Sequence, residues 1–162
     1  MKVITLVGPP NSGKTTVLKD LIINLEKAGA TVLPPNAGTK GARLITPQKL
    51  AGGTVGQYMH TAQVDDYTVL LAYQSKKIGI TTVGDKVSDI MNQFHKVCAC
   101  DIFICAAHEN FNIRTHIAHS GVSVSAYAEV SSVQCESTDS SLMQHVCKYA
   151  NDRVLQAIQK HI

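Results

Sequence analysis

Gly8-Pro9-Pro10-Asn11-Ser12-Gly13-Lys14-Thr15 has the spacing G-x-x-x-x-G-K-[ST], which assembles a phosphate-binding loop when a strand precedes it and a helix follows. Both flanks are present: the apolar run Val3-Ile4-Thr5-Leu6-Val7 before it and a helix-like stretch after it. A loop entering a helix N-terminus turns several backbone N–H groups into one concavity, where the helix dipole adds to their hold on an anion. The expected phosphate-binding set is the backbone and side chains of Gly8, Asn11, Ser12, Gly13, Lys14, Thr15 and Thr16. The Lys14 ammonium would reach the β and γ phosphates as a mobile point charge, and the Thr15 hydroxyl would be a magnesium ligand.

A triphosphate site also needs an acid for the metal and groups that act on the γ-phosphate. In an open parallel sheet, ligands bind beyond the carboxyl ends of the strands. Asp85 directly follows the strand ending Thr82-Val83-Gly84, whereas Asp101 opens its strand and belongs at the opposite edge. Asp85 is therefore the expected magnesium acid, in the role called Walker B; as an Asp just before Val87 it could equally cap a helix. His108 and Glu109 follow the strand Asp101 to Ala107, so either could orient an attacking water. Arg114, the nearest arginine in sequence, could stabilise transition-state charge in cis or in trans. Among other groups, His95-x-x-Cys98-x-Cys100 gathers three possible metal ligands, but no second Cys-x-x-Cys completes a zinc set, and Cys-x-Cys on an alternating segment reads as small core residues. His116 and His119 stand one helical turn apart without an acid in metalloprotease spacing, which reads as a solvated face.

The elements that must hold these residues are legible as periodicity. Val17, Leu18, Leu21, Ile22 and Leu25 recur at helical spacing from Thr15 to Ala28, with Gly29 as the stop. Ala30 to Leu33 reads as a short strand, and strand, helix and strand make a βαβ unit and hence a parallel sheet. Residues 36–57 show little periodicity and hold five of the eleven glycines, with Lys40, Arg43 and Lys49 among them. A loop of that length is a solvated linker or a lid, and Lys40 and Arg43 are its first residues to test. Asp66–Tyr73 and Lys77–Val83 form an expected antiparallel hairpin. A helix through Val87, Ile90, Met91, Phe94 and Val97 follows, then the buried strand Asp101–Ala107, a short segment from Arg114 to His119, and a strand from Val122 to Val130. A terminal helix is expected from Thr138-Asp139, carrying Leu142, Val146, Tyr149, Val154, Leu155 and Ile158.

The whole is the expectation of one α/β domain over residues 1–162, a three-layer fold with a mostly parallel central sheet and one antiparallel hairpin strand. Its 44% hydrophobic and 17% charged composition excludes disordered and fibrous classes. The longest apolar runs are strand-length, so no membrane span is expected. No cleavable apolar leader precedes Val3, and the five cysteines are an odd set, together pointing to free thiols in a reducing cytoplasm. Residues 1–60 hold seven Lys/Arg against two acids (+5) and residues 61–162 hold eight against ten (−2), the chain's net +3. The nucleotide itself accounts for the basic half, and without Trp or an aromatic-interleaved basic surface a nucleic-acid partner is unsupported.

The Gly8–Thr15 loop, its helix and the Gly84-Asp85 strand end resemble the P-loop NTPase superfamily, in its kinase and GTPase branch, where a Walker B strand lies next to the P-loop strand. The chain also looks like small bacterial and phage ATP-binding proteins of unassigned role, which pair such a loop with a strand ending in Gly-Asp and a later Cys-Asp-apolar strand, here Cys100 to Ala107. The resemblance implies binding of a nucleoside triphosphate with Mg2+. No Asn-Lys-x-Asp guanine-reading motif is present, which favours ATP, and only Arg43, Arg114 and Arg153 are available to grip a second polyphosphate, which disfavours a monophosphate acceptor. Three activities follow as expectations: a magnesium-dependent ATPase; a phosphotransferase to a small uncharged or nucleoside-like acceptor; and a non-catalytic ATP sensor. A protein partner or a second copy of the chain could complete any of them.

Overall fold

Strand β1 (Lys2–Val7) runs through the Gly8–Gly13 loop into helix α1 (Lys14–Lys27), and the rest of the chain builds a sheet around that strand. The computed structural model describes residues 1–62, 64–132 and 151–162. In order along the chain come β2 (Thr31–Val32), α2 (Pro47–Leu50), α3 (Val55–Thr61), β3 (Thr68–Tyr73), β4 (Lys76–Thr81), α4 (Val87–Val97), β5 (Ile102–Ala107), α5 (Ile113–His119) and β6 (Ala126–Ser131). Residues 151–159 are the described part of a C-terminal helix. The expected start of that helix near Thr138-Asp139, with Leu142, Val146 and Tyr149, lies outside the described residues.

The six strands form one sheet in the order β2-β3-β4-β5-β1-β6. β5 and β6 pair in parallel with β1 on its two sides, β4 pairs in parallel with β5, and β3 is antiparallel to both β2 and β4. The protein is therefore α/β, with a mostly parallel sheet and one antiparallel hairpin. The hairpin closes through Gln74-Ser75, both at positive φ (46° and 65°), and Lys76 already pairs with Tyr73, so the turn has two residues rather than the three expected.

Alternation along the strands divides the core into two clusters. Ile4 and Leu6 of β1 with Ile102, Ile104 and Ala106 of β5 face the buried side of α1, Val55 of α3 and Val154, Leu155 and Ile158 of the C-terminal helix. Val3, Phe103, Cys105 and Ala107 face the other way, onto Ile90, Phe94 and Val97 of α4 and Ile113 and Ile117 of α5. Helices thus cover both faces, and β5, buried at every position, reads as the continuous apolar run that burial on both sides demands. Among the described residues no helix is long and apolar enough to cross a membrane.

β2 lies at the far edge of the sheet, with β3, β4 and β5 between it and β1, and two antiparallel pairings leave it running parallel to β1 as the βαβ unit requires. Three expectations are corrected. The strand ending toward Gly84-Asp85 is not next to β1, because β5 is interposed. Residues 36–57 are not a featureless loop: α2 lies within them and α3 begins there, its first turn closed by a capping box in which the Thr54 side chain accepts from Gln57 N–H and the Gln57 side chain accepts from Thr54 N–H. β6 starts at Ala126 rather than Val122.

Candidate functional site

Parallel pairing carries the C-terminal ends of β1, β4 and β5 to one edge of the sheet, and a cavity of about 430 Å³ opens there, within the usual range for small-molecule sites. Its floor is the loop from Pro10 into the first turn of α1, including Asn11, Ser12, Gly13, Lys14, Thr15 and Thr16. Gly13 stands at the helix N-cap with φ +76°, a backbone conformation glycine adopts without penalty, and among the described residues no side chain caps the helix. The first hydrogen bond into α1 runs from Val17 N–H to the Gly13 carbonyl at 3.0 Å, which leaves the preceding N–H groups without helical partners. Free N–H groups and the positive end of the helix dipole at such a start favour an anion.

Lys14 lies folded into this loop. Its Nζ donates to the carbonyls of Gly8 at 2.8 Å and Pro9 at 2.6 Å, with the Ser12 hydroxyl at 3.4 Å. Burial of Lys14, a residue 8% exposed, lowers its pKa from the ordinary 10.5, and the carboxylates of Asp85 and Glu109 oppose that shift. A cation held on neutral carbonyls and short of a full charge partner is suited to exchange them for an anion.

Asp85 lines the cavity with the loop residues. It does not cap α4, since Lys86 is the N-cap residue and no side-chain cap is formed. Asp101 lies at the other edge of the sheet, where its Oδ2 accepts from Lys77 N–H at 2.8 Å and its backbone N–H donates to the Lys77 carbonyl at 2.8 Å. The two aspartates are thus placed as strand polarity requires. Gly84 sits where the end of β4 presses on β5: a Cβ there would stand 2.9 Å from the Ala106 Cβ.

His108 reaches the cavity, and its ring meets Phe111 edge-on at 5.2 Å between centroids. Glu109 is exposed and outside the cavity lining, close enough to act on Lys14 through charge alone. Arg114 is exposed on α5 and is not among the residues lining the cavity. Lys40 and Arg43 are exposed and likewise outside it, while Lys49 is tied down by its Nζ to the carbonyls of Gly41, Ala42 and Leu44. Cys98 accepts a hydrogen bond from Asn36 Nδ2 at 3.0 Å, and burial pushes the Cys100 and Cys105 thiols up to about 12, so neither is a ready thiolate at neutral pH. Among the described residues no group of three or more His, Cys, Asp and Glu is placed to hold a metal ion.

The cavity also contains groups that sequence reasoning missed. Asp65, Asp66 and Thr82 line it. Because β3 is antiparallel, its beginning rather than its end lies at the ligand edge, so the acids that precede it arrive beside the residues that follow β4. Thr82, 1% exposed, donates from its hydroxyl to Asp66 Oδ1 at 3.0 Å and accepts from Tyr67 N–H at 2.8 Å, which fixes the Asp66 carboxylate. The signal was an Asp-Asp pair opening a strand, visible only once that strand's direction is known. Ser132, after β6, is a second omission, with its hydroxyl 2.6 Å from that of Ser12. No family model, curated protein or solved structure matches this chain, so the site rests on its own geometry.

Proposed function

We propose that this cavity binds a nucleoside triphosphate, ATP, together with Mg2+ and hydrolyses it, as a small P-loop NTPase working in the cytoplasm. The observation that carries the reading is the convergence of the Gly8–Thr15 loop, the uncapped start of α1, the inward-held Lys14 and Asp85 on one cavity. The first-turn N–H groups and Lys14 hold the β and γ phosphates. The metal fits the donor set, because Thr15 and Asp85 offer hard oxygen ligands and magnesium ordinarily takes only one or two protein ligands beside phosphate and water. When bound, the ion neutralises charge that builds on the bridging oxygens. His108 orients a water toward the γ-phosphorus and takes its proton as the bond to the β-phosphate breaks.

The interposition of β5 between β1 and β4 separates this arrangement from the kinase and GTPase branch, and it makes the strand that leads into the cavity-lining His108 the neighbour of β1. Arg114, exposed and outside the cavity lining, has no part in this step within one molecule and could reach a cavity only from a second copy of the chain. Single-turnover assays with Mg-ATP and no acceptor test the hydrolytic step. Inorganic phosphate should appear, and the rate should fall at least tenfold in His108→Ala. Nucleotide that binds and is recovered intact would replace hydrolysis with sensing or with transfer to an acceptor.

A further inference from the structure

The Gly8–Thr15 loop is braced by a residue that does not line the cavity. β6 ends at Ser131, paired with Val7, and the next residue, Ser132, donates its backbone N–H to the Val7 carbonyl at 2.7 Å. On the other flank Gly8 N–H donates to the Ala107 carbonyl of β5 at 3.3 Å. With its backbone pinned, Ser132 presents its hydroxyl to Ser12 at 2.6 Å. Ser12 is 3% exposed, lines the cavity, and is the hydroxyl that Lys14 approaches. The contact exists because residue 8 has no side chain: a Cβ there would collide with the Ser132 hydroxyl. The other loop glycine is approached from the C-terminal helix, since Asn151 Oδ1 lies 3.4 Å from where a Gly13 Cβ would stand.

We propose that Ser132 is a positioning residue for the phosphate loop, orienting the Ser12 hydroxyl toward a phosphate oxygen; this rests on the nucleotide site proposed above. A serine hydroxyl has one proton to donate and two lone pairs that accept. Lys14 has only protons to offer, so toward Ser12 it can only donate. Either hydroxyl could donate across the 2.6 Å contact; the donor proposed is that of Ser132, which leaves the proton of Ser12 for the cavity. A phosphate that draws Lys14 off the Gly8 and Pro9 carbonyls then meets a second donor already aimed at it. Without Ser132, the Ser12 hydroxyl rotates freely and its proton is no longer committed to the ligand.

The test is calorimetric titration of Mg-ATP into the wild type, Ser132→Ala, Ser12→Ala and the double variant, with thermal melts alongside. Ser132→Ala should weaken binding about five- to tenfold, the effect of one neutral hydrogen bond, while its melting midpoint stays near that of the wild type. In the Ser12→Ala background the same change should have less than a twofold effect, because Ser132 acts through Ser12. Ser132→Thr, which keeps the hydroxyl, should restore most of the affinity. Wild-type affinity in Ser132→Ala, or an undiminished effect in the Ser12→Ala background, would overturn the proposal. A wild-type protein that binds no nucleotide removes this inference and the proposed function together, whereas tight wild-type binding with an indifferent Ser132→Ala removes this one alone.

Discussion

Lys14 concentrates the account at the scale of a single residue. Among the described residues its Nζ bonds only to the loop's own carbonyls and hydroxyl, so Lys14→Ala should leave the fold within about 1 kcal/mol of the wild type, as measured by denaturant unfolding, while nucleotide affinity falls at least a hundredfold. Its titration gives a second handle. The pKa in the unliganded fold is lowered below 10.5 by burial, so between the lowered value and 10.5 the folded state holds fewer protons at Lys14 than the unfolded chain does. Stability of the empty protein should accordingly rise with pH through that window relative to Lys14→Ala. Phosphate favours the charged ammonium, so affinity should move the opposite way, declining as pH rises through the lowered pKa. Affinity measured across alkaline pH that declines equally in Lys14→Ala would assign the titration to another group. The aspartates separate in the same manner: Asp85→Asn should weaken the magnesium dependence of binding, and Asp101→Asn should cost only stability, of the order of 1 kcal/mol, through its bond to Lys77 N–H. The reverse order would contradict the placement of the site at the β4 end.

At the scale of elements, the strand ends decide which residues meet. β4 delivers Asp85 only if it can lie close against β5, and Gly84 permits that approach to Ala106. Gly84→Ala should lower stability by about 1 to 3 kcal/mol, seen as a lower unfolding midpoint, and should also weaken magnesium-dependent binding, because the relief is a shift of the Asp85 backbone. A stable Gly84→Ala protein with unchanged metal dependence would show that the β4 end is not a rigid support. The hairpin is tolerant by contrast: Gln74 and Ser75 hold positive φ without being glycine, so Asn-Gly in their place should raise stability by some tenths of a kcal/mol and leave the cavity untouched. Element direction also explains what sequence reasoning could see. Asp85 and Asp101 were separable because each adjoins a strand whose direction follows from parallel pairing. Asp65 and Asp66 were legible by one further step, because an antiparallel hairpin whose second strand ends at the ligand edge must begin its first strand there, which is where this Asp pair stands. The helix α3 was legible in principle, since Thr54-x-x-Gln57 is a capping-box spacing, but the surrounding glycines obscured it.

On the scale of the whole molecule, local patterns settled the fold class while long-range pairing settled the order of the sheet. The 3.6-residue stripe of α1 and the unbroken apolar run of β5 each report their own burial. Neither reports that β5 inserts between β1 and β4, because strand order depends on which crossovers pack best and leaves no local mark. The Ser132 brace was hidden for the same reason, joining residues 120 positions apart. Topology then gives the site its character: β5 and β6 flank β1 and hydrogen-bond it from both sides, so the candidate loop of glycine, proline and small polar residues leaves the sheet between a fully buried strand, β5, and a partly exposed edge strand, β6. The most direct test of the central claim is a calorimetric titration of the purified wild-type chain and of Lys14→Ala with ATP, each with and without magnesium. The account predicts that the wild type binds at micromolar concentration, more tightly when magnesium is present, and that Lys14→Ala does not bind. Wild-type binding no better than millimolar, or equal binding by the two proteins, would contradict it.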